Sequence, residues 1–164
     1  MSSLATSLSR RLGVAYPIFG FAHSIDAVAA VSNAGGIGIY GATRDTPEEI
    51  RERLKRLRKL VGDRPFGVDL VLPNGMPPRD DREAIERELP EAHRRFVAGL
   101  YQQYGVPPAT KAGMRSRFVR SVEMAEQQIE AVLGSDVNLF ACGIGAPPAA
   151  VAEAKARGKL TVAL

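Results

Sequence analysis

Short apolar runs alternate with longer amphipathic ones along the chain, and that rhythm predicts strands separated by helices. Val14 to Phe19 reads as a first strand, rich in β-formers and interrupted by Pro17. Gly20 to Ser24 is expected as a loop into a helix over Asp26 to Ala34, with Ser24 or Asp26 able to cap it. Ile37 to Tyr40 follows as a short buried strand. Thr46-Pro47-Glu48-Glu49 combines a capping residue, a proline at the first helical position and a glutamate three residues after the cap. Ile50, Leu54, Leu57 and Val61 then supply an apolar stripe at helical spacing. Phe66 to Leu72 is almost continuously apolar, as in strands buried on both faces.

The rhythm breaks after Pro73. Asp80 to Tyr104 is a charged, helical stretch interrupted at Pro90, bounded by proline-rich loops at Pro73–Pro78 and Gly105–Pro108. Phe118, Val122, Ala125, Ile129 and Val132 mark the next amphipathic helix, which closes at Gly134. Val137 to Ala141 is expected as a fourth strand and Cys142 to Ala146 as a glycine-rich loop. A helix from Pro147 or Pro148 through Arg157 stops at Gly158, and Leu160 to Leu164 begins a fifth strand.

Strands alternating with helices imply an α/β fold with a parallel sheet and right-handed crossovers. Two closures fit. Five strands make the first half of a (β/α)₈ barrel, whose usual size is about 250 residues, or a complete open, doubly wound sheet. Composition and period do not separate them. Gly36, Gly38 and Gly41 match the spacing G-x-G-x-x-G, but the dinucleotide fingerprint needs a strand before the glycines and a helix after them. Here the order is reversed, so a tight helix-to-strand join is the expected reading.

The 164 residues suffice for one domain with a real core, and 45% hydrophobic with 24% charged residues is ordinary for a globular protein. The net charge of +4 comes largely from Arg51, Arg53, Lys55, Arg56, Arg58 and Lys59 on one helix and from Arg115, Arg117 and Arg120. Phe118 is the only aromatic interleaved with these, so a solvated helix face is favoured over nucleic-acid binding. The single cysteine, Cys142, excludes an internal disulfide and fits a reducing compartment. No apolar run approaches the ~20 residues of a membrane span, and no apolar segment of signal-peptide type follows Met1–Arg11. A cytoplasmic protein is expected. His23 and His93 are far apart and have no metal-ligand spacing with Cys142, so no metal is expected.

Several segments resemble the nitronate monooxygenase (2-nitropropane dioxygenase-like) family of FMN-dependent enzymes. They are Leu12 to Ile18, Ala29-Ala30-Val31-Ser32-Asn33-Ala34-Gly35-Gly36-Ile37-Gly38, Phe66 to Leu70, and Leu139 to Pro147. The resemblance implies that residues 1–164 are the N-terminal half of an FMN-binding TIM barrel, with residues 73–134 as a helical insertion after the third strand. It further implies phosphate-holding turns beyond Leu164. The other half of the barrel would then come from a separate chain or a second copy, or the chain is a truncated product. The implied activity is oxidation of a small organic substrate with oxygen as acceptor. The alternatives are an NAD(P)H-dependent enoyl-thioester reductase-like enzyme and a non-catalytic half-barrel binding protein.

By the same resemblance, Gly20, Phe21 and Ala22 lie against the flavin, with Asp69, Cys142 and Gly143 as further cofactor neighbours. An ordinary turn competes for Gly20–Ala22, and a structural hydrogen bond competes for Asp69. Relatives usually carry Asn where this chain has Asp69, and an ionised aspartate cannot donate as an asparagine does. Their histidine base falls at Ala141, within Phe140-Ala141-Cys142-Gly143, and alanine transfers no proton. His23, with Asp26 three residues on, is the candidate replacement base, set against a plain loop residue beside a helix cap. For Cys142 the pocket reading competes with a small buried hydrophobe, the more frequent role of a lone cysteine.

Overall fold

The computed structural model describes residues 4–108 and 120–163; Arg115, Arg117, Phe118 and Leu164 lie outside them. Two compact units result, Met1–Gly75 with Ala125–Leu164, and Met76–Met124. The first holds a five-stranded parallel sheet of β1 (Phe19–Ala22), β2 (Ile37–Gly41), β3 (Phe66–Val71), β4 (Leu139–Gly143) and β5 (Leu160–Ala163). The strands lie in chain order β1-β2-β3-β4-β5. A doubly wound sheet reverses its winding and so breaks chain order, whereas a singly wound barrel wall does not. The order therefore decides for the barrel arrangement over the open sheet.

The helices are α1 (Ser7–Leu12), α2 (Ile25–Asn33), α3 (Pro47–Val61), α4 (Arg82–Glu88), α5 (Glu91–Gln103), α6 (Val122–Leu133) and α7 (Pro148–Ala156). Thr46 and Glu49 close the expected capping box on α3, and Ile50, Leu54, Leu57 and Val61 are all buried along it. Ser24 rather than Asp26 caps α2, accepting from the Ala27 amide. In the second unit, Asp81 caps α4 and Pro90 occupies the cap position of α5, so the interruption at Pro90 is a new helix start. Helix α1 was not anticipated; Thr6 and Ser9 form a reciprocal capping box at its start.

Two strands fall later than expected. β1 begins at Phe19, not Val14, because Pro17 has no amide to donate. The residues before it make isolated bonds instead, from the Tyr16 amide to the Gly35 carbonyl and from the Ile37 amide to the Ile18 carbonyl (both 2.9 Å). β4 likewise runs on to Gly143, so Cys142 and Gly143 are strand residues and not loop.

The Ser32–Gly38 stretch earns its composition from packing. Ser32 Oγ donates to the Pro65 carbonyl (2.9 Å) and accepts from the Gly38 amide (3.0 Å), tying α2 to β2 and to the start of β3. A Cβ on Gly38 would stand 2.1 Å from the Val28 carbonyl oxygen, so only glycine lets α2 lie this close to β2. The basic face of α3 is only partly solvated: Arg58 stacks 4.5 Å from the Phe66 ring centroid and binds Asp136, and Arg53 binds Asp45. Among the described residues no helix is long and apolar enough to cross a membrane.

Candidate functional site

Successive side chains of a strand point to opposite faces, and parallel register carries that parity across the sheet. One face meets the helices and buries Tyr40, Val68, Leu70 and Phe140. The opposite face carries an apolar hollow of about 480 Å³, lined by Phe19, Phe21, Ile39, Asp69, Leu139, Ala141, Gly143 and Val162. Asp69 is its one charged side chain.

The hollow divides the residues singled out from sequence by parity. Phe21, Asp69 and Gly143 line it. Cys142 lies between Ala141 and Gly143 and therefore points the other way, opposite Leu70. Gly20 also faces the helix layer, where a Cβ would meet the Val31 side chain at 2.7 Å, and Ala22 shares that parity. Gly20, Phe21 and Ala22 belong to β1 and are not loop residues, and Gly20 serves the packing of α2.

Asp69 is 6% exposed, and its Oδ1 has no hydrogen-bond partner among the described residues. Burial pushes its carboxyl above the ordinary range, with the nearby His23 acting in the opposite direction. In the sheet register it stands beside Gly41 on one side and Ala141 on the other. Gly143 leaves the carboxyl open from the strand end: a Cβ there would stand 3.8 and 3.9 Å from its two oxygens.

His23 follows β1 at the C-terminal end of the sheet. Its Nδ1 lies 2.9 Å from the Gly41 carbonyl oxygen, and the Phe21 ring meets it edge-on at 5.1 Å between centroids. The carbonyl only accepts, so Nδ1 donates and Nε2 of the neutral ring keeps its lone pair. Asp26, three residues on, instead pairs with Arg56 (3.5 Å), so it does not orient the imidazole. The Cys142 thiol is pushed up to about 11 by burial and then by the charge of Asp69. Burial, and then Asp45, raise the Tyr40 phenol as well; its hydroxyl donates to Asp45 and accepts from Arg53 on the helix side.

The rim is fixed from behind. Thr43 Oγ1 accepts from the Val71 amide (2.9 Å), and Gln128 Nε2 donates to the Thr43 and Asp45 carbonyls (3.2 and 2.7 Å). Just past β4, Ile144 sits at φ 61°, a region that a β-branched residue enters only under strain, and it is 75% exposed. Such strain at the carboxyl end of a barrel strand marks the end where barrel enzymes carry their chemistry.

The family model for nitronate monooxygenase matches residues 6–164. The chain belongs to the nitronate monooxygenase family. A protein of Mycobacterium tuberculosis assigned as a monooxygenase is 34% identical over 162 residues, covering 92% of this chain and 42% of its own length. A protein of Staphylococcus haemolyticus assigned as a nitronate monooxygenase is 38% identical over 71 residues, 41% of this chain and 20% of its own. Among solved structures, nitroalkane oxidase from Streptomyces ansochromogenes superposes with a TM-score of 0.67 at 24% identity, over 96% of this chain and 42% of that one. FabK from Thermotoga maritima superposes at 0.62 and 21% identity, over 98% and 37%. These likenesses carry the fold: the sheet is the first part of the TIM-barrel wall of this family. The chain spans less than half the length of these relatives.

The sequence had no signal for Phe19, Ile39, Leu139 or Val162 as lining residues. Phe19, Ile39 and Leu139 sit in runs with no charged or strongly polar side chain on either parity, and although Val162 alternates with Thr161, only register shows which parity faces the hollow.

Proposed function

We propose that the protein is an FMN-dependent oxidoreductase that oxidises a small organic substrate with oxygen as acceptor, and that the hollow on the open face of the sheet is its flavin-side pocket. The observation that carries this reading is a buried carboxyl with an unpartnered oxygen, set in an otherwise apolar hollow on a nitronate monooxygenase scaffold. An apolar, concave site with one convergent polar group is the usual form of a pocket for a flat, mostly apolar ring. The residues present fit such a ring. Phe21, Ile39, Leu139 and Val162 supply apolar contact and exclude water, and Asp69 supplies the single polar anchor.

Flavin, when bound, supplies the acceptor for two electrons removed from the substrate. The chain's own contribution is proton handling and positioning. His23 Nε2, bare in the tautomer that Gly41 imposes, is the group able to take a substrate proton. Gly143, with no side chain, leaves the approach to Asp69 open.

Ala141 favours a second reading. It occupies the strand position beside Asp69 and carries no acid–base group, which suits an enoyl-thioester reductase-like reaction with NAD(P)H as electron donor. A non-catalytic binding protein is the third outcome. The test is the visible spectrum of the purified protein, mixed with any companion fragment that completes the barrel, followed by turnover. Flavin bands near ~370 and ~450 nm with oxygen uptake on a nitronate support the first reading. The same bands with NAD(P)H oxidation on an enoyl thioester support the second. A folded complex with the companion half of the barrel that still lacks flavin bands overturns both.

A further inference from the structure

Asp69 raises a specific chemical question, because an ionised carboxylate accepts hydrogen bonds and cannot donate one. We propose that Asp69 meets its ligand as a neutral carboxylic acid, donating its O–H to an uncharged acceptor on a flat, apolar-bodied molecule. The inference deepens the flavoenzyme reading of the same hollow; it rests on that reading for the ligand's identity but not for the state of the carboxyl.

Three observations carry it. First, the carboxyl is enclosed, 6% exposed, and Oδ1 has no donor among the described residues to stabilise a charge. A buried carboxylate keeps its charge only when ion-paired or held by several hydrogen bonds. Second, the walls around it are Phe21, Ile39, Leu139, Ala141 and Val162, none of which solvates an anion. Third, the titratable groups that act on it do not settle a negative charge there. His23 favours ionisation, but its Nδ1–H is committed to the Gly41 carbonyl and not to Asp69. Cys142 on β4 is held as the thiol, so it adds no charge of its own. Burial outweighs His23, and its direction is toward the protonated acid.

A protonated carboxyl has one donor and a free acceptor, and Gly143 leaves the space beside both oxygens clear. The partner this selects is an uncharged carbonyl, nitro or ring-nitrogen acceptor rather than a cation. A carboxylate in the same place would select the reverse.

Benzamide and benzamidine provide a matched pair, because ring and size are alike while one offers a carbonyl and the other a cation. Binding is followed by chemical-shift changes at the hollow's residues, and the carboxyl itself by carbon NMR of the protein labelled at aspartate side chains. One aspartate carbon is expected to stay at its protonated position at pH values where the other aspartates have ionised, and to be missing in Asp69→Asn. Benzamide is expected to bind better than benzamidine, with Asp69→Ala weakening it about tenfold, the scale of one buried hydrogen bond. Asp69→Asn, which keeps a donor without a charge, is expected to stay within about threefold. Asp69 ionising together with the other aspartates, better binding of benzamidine, or no response to benzamide at the hollow each overturn the proposal. A protonated Asp69 in a folded complex with the companion half that lacks flavin bands would sink the flavoenzyme reading and leave this one standing; flavin bands with an ionised Asp69 would do the opposite.

Discussion

The Nδ1 of His23 donates to the carbonyl oxygen of Gly41 across 2.9 Å, and the same glycine, by lacking a side chain, makes room for that ring. A Cβ at Gly41 would stand 2.8 Å from His23 Nδ1 and 2.5 Å from the tip of the Phe21 ring. One residue therefore seats both side chains and fixes the imidazole tautomer. The third glycine of the apparent dinucleotide motif belongs to this seat and not to a phosphate loop.

Gly41→Ala is expected to push Phe21 and His23 off the sheet at a cost of about 1–3 kcal/mol in stability, the range for overpacking a close contact. Nitrogen NMR of the His23 ring reads the consequence directly. The wild-type neutral ring is expected to carry its proton on Nδ1, and the variant to show a mixture of tautomers. A wild-type ring protonated on Nε2 would contradict the assignment.

Ser32 gives a second test, away from the hollow. Ser32→Ala leaves the Pro65 carbonyl without that hydroxyl and the Gly38 amide without its acceptor in a buried place. Orphaned buried groups cost about 1–3 kcal/mol, so urea denaturation is expected to show a loss of that size with an unchanged m-value. A loss near zero would mean that the α2–β2 join is held by packing alone.

Cys142 is expected to be inert in the folded state. Its thiol is 1% exposed and pushed up to about 11, so very little thiolate exists at neutral pH. Alkylation by iodoacetamide is expected to be slow under native conditions and fast in denaturant. Rapid native labelling would mean that the β4 end of the sheet opens readily.

Much of the fold was legible in the sequence because capping and punctuation act locally. Thr46-Pro47-Glu48-Glu49 is self-contained, and its capping box forms as its spacing predicts. The helix-to-strand order around Gly35–Gly36 argues against a dinucleotide loop, and Gly38 supplies the physical reason. The site was harder to read. Leu139, Phe140, Ala141 and Cys142 are all apolar, so parity within β4 is invisible until register with Asp69 and Leu70 fixes it. That is why Cys142 joined the candidates while Leu139 and Val162 did not. Strand order likewise cannot be seen in a period of two, and it is the order that separates a barrel wall from an open sheet. Pro17 gave a visible warning about the first strand, since a missing amide displaces a strand to the next residues able to complete a ladder.

Ile144 stores strain that glycine would relieve. At φ 61° a β-branched residue costs about 1–3 kcal/mol, and glycine returns about 0.5–1 kcal/mol of that as backbone entropy. Ile144→Gly is expected to raise stability by about 1 kcal/mol, seen as a higher thermal midpoint. If the strained residue shapes the rim of the hollow, the gain in stability comes with weaker binding of benzamide. Stabilisation with unchanged binding would separate Ile144 from the site.

The pH dependence of stability tests Asp69 without any ligand. Its folded carboxyl takes up a proton more readily than in the unfolded chain, because burial disfavours the charged form. Between the ordinary carboxylate range and the raised folded value, the native state binds more protons than the unfolded one, so this group's contribution to stability falls as pH rises. The contribution is fully present in acid, where both states are protonated, and is lost once pH has passed the folded value. Asp69→Asn cannot ionise. Its stability relative to wild type is therefore expected to improve steadily as pH rises through that window and to level off above it, as read by urea denaturation at matched ionic strength. A difference that stays flat with pH would mean that folding leaves the Asp69 carboxyl unshifted, and one that runs the other way would mean that the native fold stabilises its anion, so that the apolar walls would have to admit water or a counter-charge.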